Sequence, residues 1–356
     1  MNSDKKWCIT FLGLILSAMA ALCVITIVVD PFFHYHAPLS SMEYPLNHER
    51  QRYLNDGILK NFDYDAIIVG SSMTENFKAS QLNELFDVNS VKVCYDGATY
   101  YEVKNSIQTG IRHQPDLKLV VLSADLIRLY DTKDMLRYDL SAYPSYLYDY
   151  NFFNDVEYLL NKDILLDDVY VAVRYTLSGK KTTNFDDYSN ISQYCTYSSE
   201  TVKSGYKRLP KQDPDPESMV SEAANIEENI MQNVIDLAKQ NPHIQFYVFY
   251  PPYSIYYWDD MNQRGLINWQ FDNLIYATEL MLTCENIHLF SFYDLYDVTC
   301  NLDNYKDFVH YSPAINEQIL DSMAKGEYRL TKDNYKERLE DARTFYLSYD
   351  YEALFN

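Results

Sequence analysis

Two short stretches far apart in the chain carry side chains that could work together. Gly70-Ser71-Ser72-Met73 follows directly on the apolar run Ala66-Ile67-Ile68-Val69, and Asp307-Phe308-Val309-His310 stands near the other end. A serine at the mouth of a strand is a candidate nucleophile. A histidine with an aspartate three residues before it is a candidate base with its orienting carboxylate. Of the 7 histidines only His310 has that neighbour. In a turn, such spacing lets the carboxylate reach one ring nitrogen, fixing the tautomer and leaving the other nitrogen to take a proton from the serine. Ser72, Asp307 and His310 are therefore the three groups expected to carry acyl transfer through a serine. The plainer readings are a strand-to-helix turn built from small polar residues and a loop cap before the next helix.

An acyl transfer also needs donors for an oxyanion. Ser72 and Gly97 are the candidate oxyanion-hole residues. Gly97, in Tyr95-Asp96-Gly97-Ala98, has no side chain to keep its N–H from a ligand, although an ordinary turn glycine would look the same. Asp125 ends the next apolar run, where a donor would be useful. As a carboxylate it cannot donate, and it is expected instead to orient a loop, bind Arg128 or meet a substrate hydroxyl. Tyr250 and Tyr253, in Tyr250-Pro251-Pro252-Tyr253-Ser254, offer a rigid aromatic wall for a substrate or a structural strand end. The turn Gly70-Ser71-Ser72-Met73-Thr74 is not a G-x-S-x-G elbow, because Thr74 replaces the second glycine. With no phosphate loop, dinucleotide fingerprint or clustered His/Cys set, no cofactor and no metal are expected.

These residues must be positioned by a repeating framework. Apolar runs at 66–69, 91–95, 117–122, 244–250 and 287–290 read as strands. Helical patterns lie between them, at 82–86, 101–111, 217–240 and 266–283. Strand–helix alternation argues for a parallel sheet with helices on both faces. Ligands of such a sheet bind beyond the carboxyl ends of its strands, where Ser72 falls. Ser312-Pro313 opens a further helix, and the charged tail from Thr331 reads as an amphipathic one. The alternation breaks at about 131–216, a Tyr- and Asp-rich insertion with helices near 156–160 and 165–174. It reads equally as a cover for the active site and as a solvated surface decoration.

The 356 residues carry a formal net charge of -21. That disfavours nucleic acid, whose phosphates recruit basic patches, and non-specific attraction to anionic lipid. The 35 tyrosines suit amphipathic ligands such as sugars, or a Tyr-rich core. Residues 7–29 contain no charge, and at ~1.5 Å per residue they reach roughly 34 Å as a helix, enough to cross a bilayer. Lys5 and Lys6 precede this stretch, and the next Lys or Arg is Arg50. The positive-inside rule then keeps the N-terminus in the cytoplasm and the remainder outside. The apolar run continues past Ala18, Ala20 and Ala21, which favours an uncleaved anchor over a signal peptide. The expected organisation is an anchor at 1–30, a connector at 31–60, an α/β domain at 61–325 with its insertion, and a helical tail at 326–356. Of the 6 cysteines, Cys94, Cys195, Cys284 and Cys300 would face outside, as buried thiols or as bridges whose pairing spacing does not reveal.

On these motifs the chain resembles the SGNH/GDSL hydrolase superfamily over residues 60–325, the insertion excluded. It looks most like the membrane-anchored extracytoplasmic branch that includes teichoic-acid D-alanylation and polysaccharide O-acetylation proteins. The resemblance implies a flavodoxin-like three-layer α/β/α sandwich, with Ser72 as nucleophile, Gly97 in the glycine motif, and Asp307 and His310 in the Asp-x-x-His motif. Ser71 replaces the usual Asp of Gly-Asp-Ser, and Asp125 replaces the usual Asn that donates to the oxyanion. The implied function is a serine esterase or O-acyltransferase acting on an acylated cell-envelope glycan or other ester. A transferase would imply a multi-pass membrane acyltransferase partner that delivers the acyl group. A non-catalytic envelope protein that binds glycan on the same scaffold is the alternative, motivated by Asp125 and the insertion.

Overall fold

The computed structural model describes residues 3–140, 143–149 and 151–355. The chain divides into two compact units: Met1–Phe62 with Ala142–Asn184, and Asp63–Ser141 with Phe185–Asn356.

The second unit is built on one sheet of six strands: β1 Ala66–Gly70, β2 Ser90–Cys94, β3 Leu119–Ser123, β4 Gln245–Tyr250, β5 Ile287–Ser291 and β6 Arg329–Leu330. Their order is β2-β1-β3-β4-β5-β6. The first five are parallel, and β6 pairs antiparallel with β5 through Leu289–Leu330 and Phe290–Arg329. Strands β1, β2 and β3 are buried along their whole length, as expected of strands covered on both faces. The order reverses between β1 and β3, the switch point where open α/β sheets leave a crevice at their carboxyl ends.

Helices flank both faces. Tyr100–His113 packs on β1, and Ile267–Met281 packs on β5 and on the helices Pro216–Ile230 and Tyr335–Ser348. Ala79–Phe86 packs on β2 and against Pro313–Lys325. This is the α/β architecture with a mostly parallel sheet that the alternation and the resemblance both imply. The Tyr100–His113 helix opens with a reciprocal cap between Thr99 and Glu102. Pro313 stands in the first turn of its helix. The 217–240 pattern resolves into Pro216–Ile230, one π-helical turn Met231–Ile235, and Asp236–Gln240. The helix Ile255–Gln263 and the two-residue β6 are additions to the sequence reading.

In the first unit, the helix Ser3–Val29 is long and apolar enough to cross a membrane. It ends at Asp30, whose buried carboxylate accepts the N–H groups of His34, Tyr35 and His36 and the hydroxyl of Tyr158. Burial pushes the Asp30 carboxyl up despite those bonds. All six cysteines are free thiols.

Candidate active site

Ser72 sits in a tight turn, Ser72–Thr74, directly beyond β1. Two features force that turn. Gly70 has φ +151°, and a Cβ there would come within 2.6 Å of the Ser123 hydroxyl and 2.9 Å of Thr74 Cγ2. Thr74 Oγ1 then donates to the Ser71 carbonyl at 2.8 Å. The turn is also tied to the far end of the chain. Tyr311 Oη and Asn316 Nδ2 both donate to the Met73 carbonyl, each at 3.0 Å.

That tie brings the Asp307–His310 loop over the serine. Ser72 Oγ lies 2.8 Å from His310 Nε2. His310 Nδ1 lies 2.7 Å from Asp307 Oδ2. The other carboxylate oxygen, Oδ1, accepts the backbone N–H groups of Val309 at 2.9 Å and His310 at 2.8 Å. A carboxylate facing Nδ1 selects the tautomer with hydrogen there, so Nε2 presents its lone pair to the serine hydroxyl. Burial works to raise the Asp307 carboxyl, but the hydrogen bond and charge of His310 and the two backbone donors outweigh it and hold it below its ordinary value. Serine and histidine are both partly exposed, so the pair is within reach of solvent and ligand.

Ser72 and His310 line a cavity of about 240 Å³ together with Gly97, Asp125, Arg137 and Tyr253. Four loops converge there, from the ends of β1, β2, β3 and β4, and the histidine loop closes it. Gly97 has φ +60°, a conformation that favours glycine. A Cβ at that position would press to 2.9 Å on both Arg137 Nη1 and Leu140 Cδ1. Arg137 holds this loop by donating to the Gly97 carbonyl at 3.0 Å while gripping Asp139 with two further nitrogens.

Asp125 is buried and works as an acceptor on both oxygens. Ser71 Oγ donates to Oδ2, and Tyr253 Oη donates to Oδ1 at 3.1 Å. Burial raises its carboxyl against those two bonds and the charges of Arg128 and His310. Ser71 and Asp125 are thus each other's partners. Tyr250 does not line the cavity, contrary to expectation. Its ring is buried, its hydroxyl meets Thr278 Oγ1 at 2.9 Å, and it stacks on Tyr293. Side chains alternate along a strand, and the pleat turns Tyr250 toward the helix Ile267–Met281.

A second cavity of about 490 Å³ adjoins the first, and Ile127 lines both. Phe308 lines the larger one and Val309 the smaller, so the Asp–His loop separates the two. Tyr130 and Trp269, with ring centroids 4.5 Å apart and nearly parallel, form part of its wall. Sequence reasoning missed Arg137, Tyr311, Asn316 and this aromatic wall. Tyr311 and Asn316 follow His310 closely enough to have been considered with it, whereas Arg137 belongs to no motif. No group of three or more metal-ligating side chains occurs among the described residues.

No protein-family profile matches the sequence, and neither does any curated protein. Among solved structures, the chain is similar to a Streptococcus pneumonia protein provisionally described as a platelet activating factor. The identity is 11% over 82% of this chain and 92% of that one, with a TM-score of 0.37. It is also similar to an acetyl xylan esterase from the rumen bacterium Butyrivibrio proteoclasticus, at 11% identity over 73% of this chain and 62% of that one, with a TM-score of 0.29.

Proposed function

We propose that this protein is a membrane-anchored serine esterase or O-acyltransferase of the SGNH type. It would act outside the cytoplasm on an acylated cell-envelope glycan. The observation that carries the reading is the continuous hydrogen-bonded path from Ser72 Oγ through His310 to Asp307.

The chemistry follows from that path. Ser72 Oγ attacks the ester carbonyl carbon while His310 Nε2 takes the hydroxyl proton. Asp307 stabilises the imidazolium that forms and keeps the ring in register. The backbone N–H groups of Ser72 and Gly97 are the donors assigned to the oxyanion; Asp125, with both oxygens already accepting, is not one. When the tetrahedral intermediate collapses, the C–O bond to the alcohol breaks and His310 returns the proton to the leaving oxygen. A water or a glycan hydroxyl, deprotonated by His310, then attacks the acyl-serine, and Ser72 recovers its proton. Water makes the protein an esterase and a sugar hydroxyl makes it a transferase.

The glycan part of the reading rests on the larger cavity, whose flat aromatic faces and amide and carboxylate groups suit a sugar ring beside the acyl pocket. The anchored part rests on Ser3–Val29, with Lys5 and Lys6 at its start setting the N-terminus in the cytoplasm. As a transferase it would take its acyl group from a multi-pass membrane partner.

A fluorophosphonate probe should label the full-length protein at Ser72, and His310→Ala should abolish labelling. A folded wild-type protein that stays unlabelled would sink the enzyme reading in favour of a glycan-binding scaffold. Comparing acetyl-ester hydrolysis with transfer to oligosaccharide acceptors then separates the two enzymes. Rapid hydrolysis with no transfer removes the transferase.

A further inference from the structure

The π-helical turn Ile164–Val169 runs into the helix Tyr170–Leu177. Its inner side buries Ile164, Val169 and Ala172, and Thr176 Oγ1 accepts the Glu43 N–H at 2.9 Å. Its outer side carries Leu166, Tyr170, Val173 and Leu177, spaced by four, three and four residues and all exposed. A helix apolar on both sides is not built for water. Leu177 is 83% exposed and Leu166 66%. Immediately before this segment, Phe153 is 90% exposed and Phe152 67%. So many large apolar side chains in one stretch exceed the scattered ones of an ordinary surface.

Their place along the spanning helix says what covers them. Thr26, one turn from the end of Ser3–Val29, donates its hydroxyl to the Leu159 carbonyl at 3.1 Å. The helix also packs against Val156–Leu159 and Ile164–Val169. A bilayer core takes about 20 helical residues. Counted from Trp7, just after Lys5 and Lys6, those residues run out at Thr26. Thr26 and Val29 are the buried residues of this helix, so the elements packed on it stand at the outer boundary of the hydrocarbon. The exposed stripe is carried by an element that packs directly on the spanning helix. Aromatic side chains concentrate at such boundaries. The charged neighbours Glu157, Asp163, Asp167 and Arg174 are exposed beside the stripe, as the polar flank of an interfacial element requires.

We propose that residues 152–177 lie in the outer interface of the bilayer, with Phe152, Phe153, Leu166 and Leu177 in the headgroup–acyl boundary. The protein would then hold the membrane by an in-plane element beside its span. This rests on reading Ser3–Val29 as a membrane span.

The test uses the full-length chain in vesicles of phosphatidylcholine brominated near the top of its acyl chains, since bromine quenches nearby tryptophan. The variants Phe153→Trp and Leu177→Trp each add one fluorophore at an exposed position. Emission added at 153 and 177 should fall by about half relative to unbrominated vesicles. Comparison with Trp7→Phe reports quenching of the native Trp7 inside the span. Quenched Trp7 with unquenched 153 and 177 overturns the inference alone and leaves the stripe to a protein partner. Unquenched Trp7 brings down the membrane-span reading and the inference with it.

Discussion

Asp307 has one oxygen committed to the backbone N–H groups of Val309 and His310, so only Oδ2 is left for the imidazole. Replacing the carboxylate by an amide keeps the shape but offers a donor where the ring needs an acceptor. Asp307→Asn should slow fluorophosphonate labelling of Ser72 by about 10⁴-fold with little change in Tm. A loss under tenfold would remove Asp307 from the proposed chemistry. Its carboxyl is held below the ordinary 3.8, so its stabilisation is present above that value and lost as pH falls through the lower folded one. Asp125 has the opposite sign. Its carboxyl is raised above 3.8, so its contribution is favourable below that pH and lost as pH rises through the raised folded value. Asp125→Asn should therefore raise Tm at neutral pH, with the gap to wild type narrowing as pH falls toward 4. An unchanged or lower Tm at pH 7 would contradict this. These residues differ in how far the sequence announces them. The Asp–His spacing is local and therefore visible. Ser71 and Asp125 lie 54 residues apart, and only the parallel pairing of β1 with β3 makes them partners.

At the scale of elements, the turn after β1 depends on a position that admits no side chain. Gly70→Ala must place a methyl group against Ser123 and Thr74 in a conformation L-residues avoid. It should cost about 1–3 kcal/mol and abolish probe labelling. Urea unfolding of the variant measures the first, and wild-type stability would refute the steric argument. The larger cavity is tested at its wall. Trp269→Ala should raise KM for an acylated oligosaccharide several-fold while leaving kcat/KM for a small acetyl ester within about twofold of wild type. Equal losses on both substrates would remove that cavity from substrate binding. Strands β1 and β3 were legible because their fully buried runs of five residues are dense in Val, Ile and Leu. Others were not. Two-residue β6 is too short to show a period, and the helix Ile255–Gln263 hides in an aromatic stretch behind Pro251-Pro252. Lys92 illustrates a deeper limit. It lies in the middle of β2, wholly buried, and donates to the carbonyls of Glu75, Phe77 and Asp186. Burial pushes its ammonium down to about 8. A lysine in a strand reads as an outward-facing residue until the loops that supply its acceptors are in place.

For the whole molecule, a helix long and apolar enough to span a membrane and a large acidic remainder make the proposed orientation testable. Val220→Cys places a thiol at an exposed position of the second unit. In intact cells a membrane-impermeant maleimide should modify it beyond the wild-type background. Modification only after permeabilisation would reverse the proposed orientation. Charge and the apolar N-terminal run were readable from composition and hydropathy. The grouping of Ala142–Asn184 with the N-terminal residues was not, because it depends on contacts across more than 100 positions, such as Thr26 with Leu159 and Glu43 with Thr176.

The hydrogen bonds from Tyr311 and Asn316 to the Met73 carbonyl span 238 and 243 residues. A chain made from its N-terminus lays down β1 and the Ser72 turn early, but the proposed base and its carboxylate, His310 and Asp307, arrive after residue 300. On the proposed chemistry, Ser72 would be an ordinary hydroxyl until that stretch has been synthesised and has docked. A chain destined for export would thus pass through the cytoplasm and the translocation channel chemically silent. Reactivity would switch on only once both ends of the fold lie on the same side of the membrane.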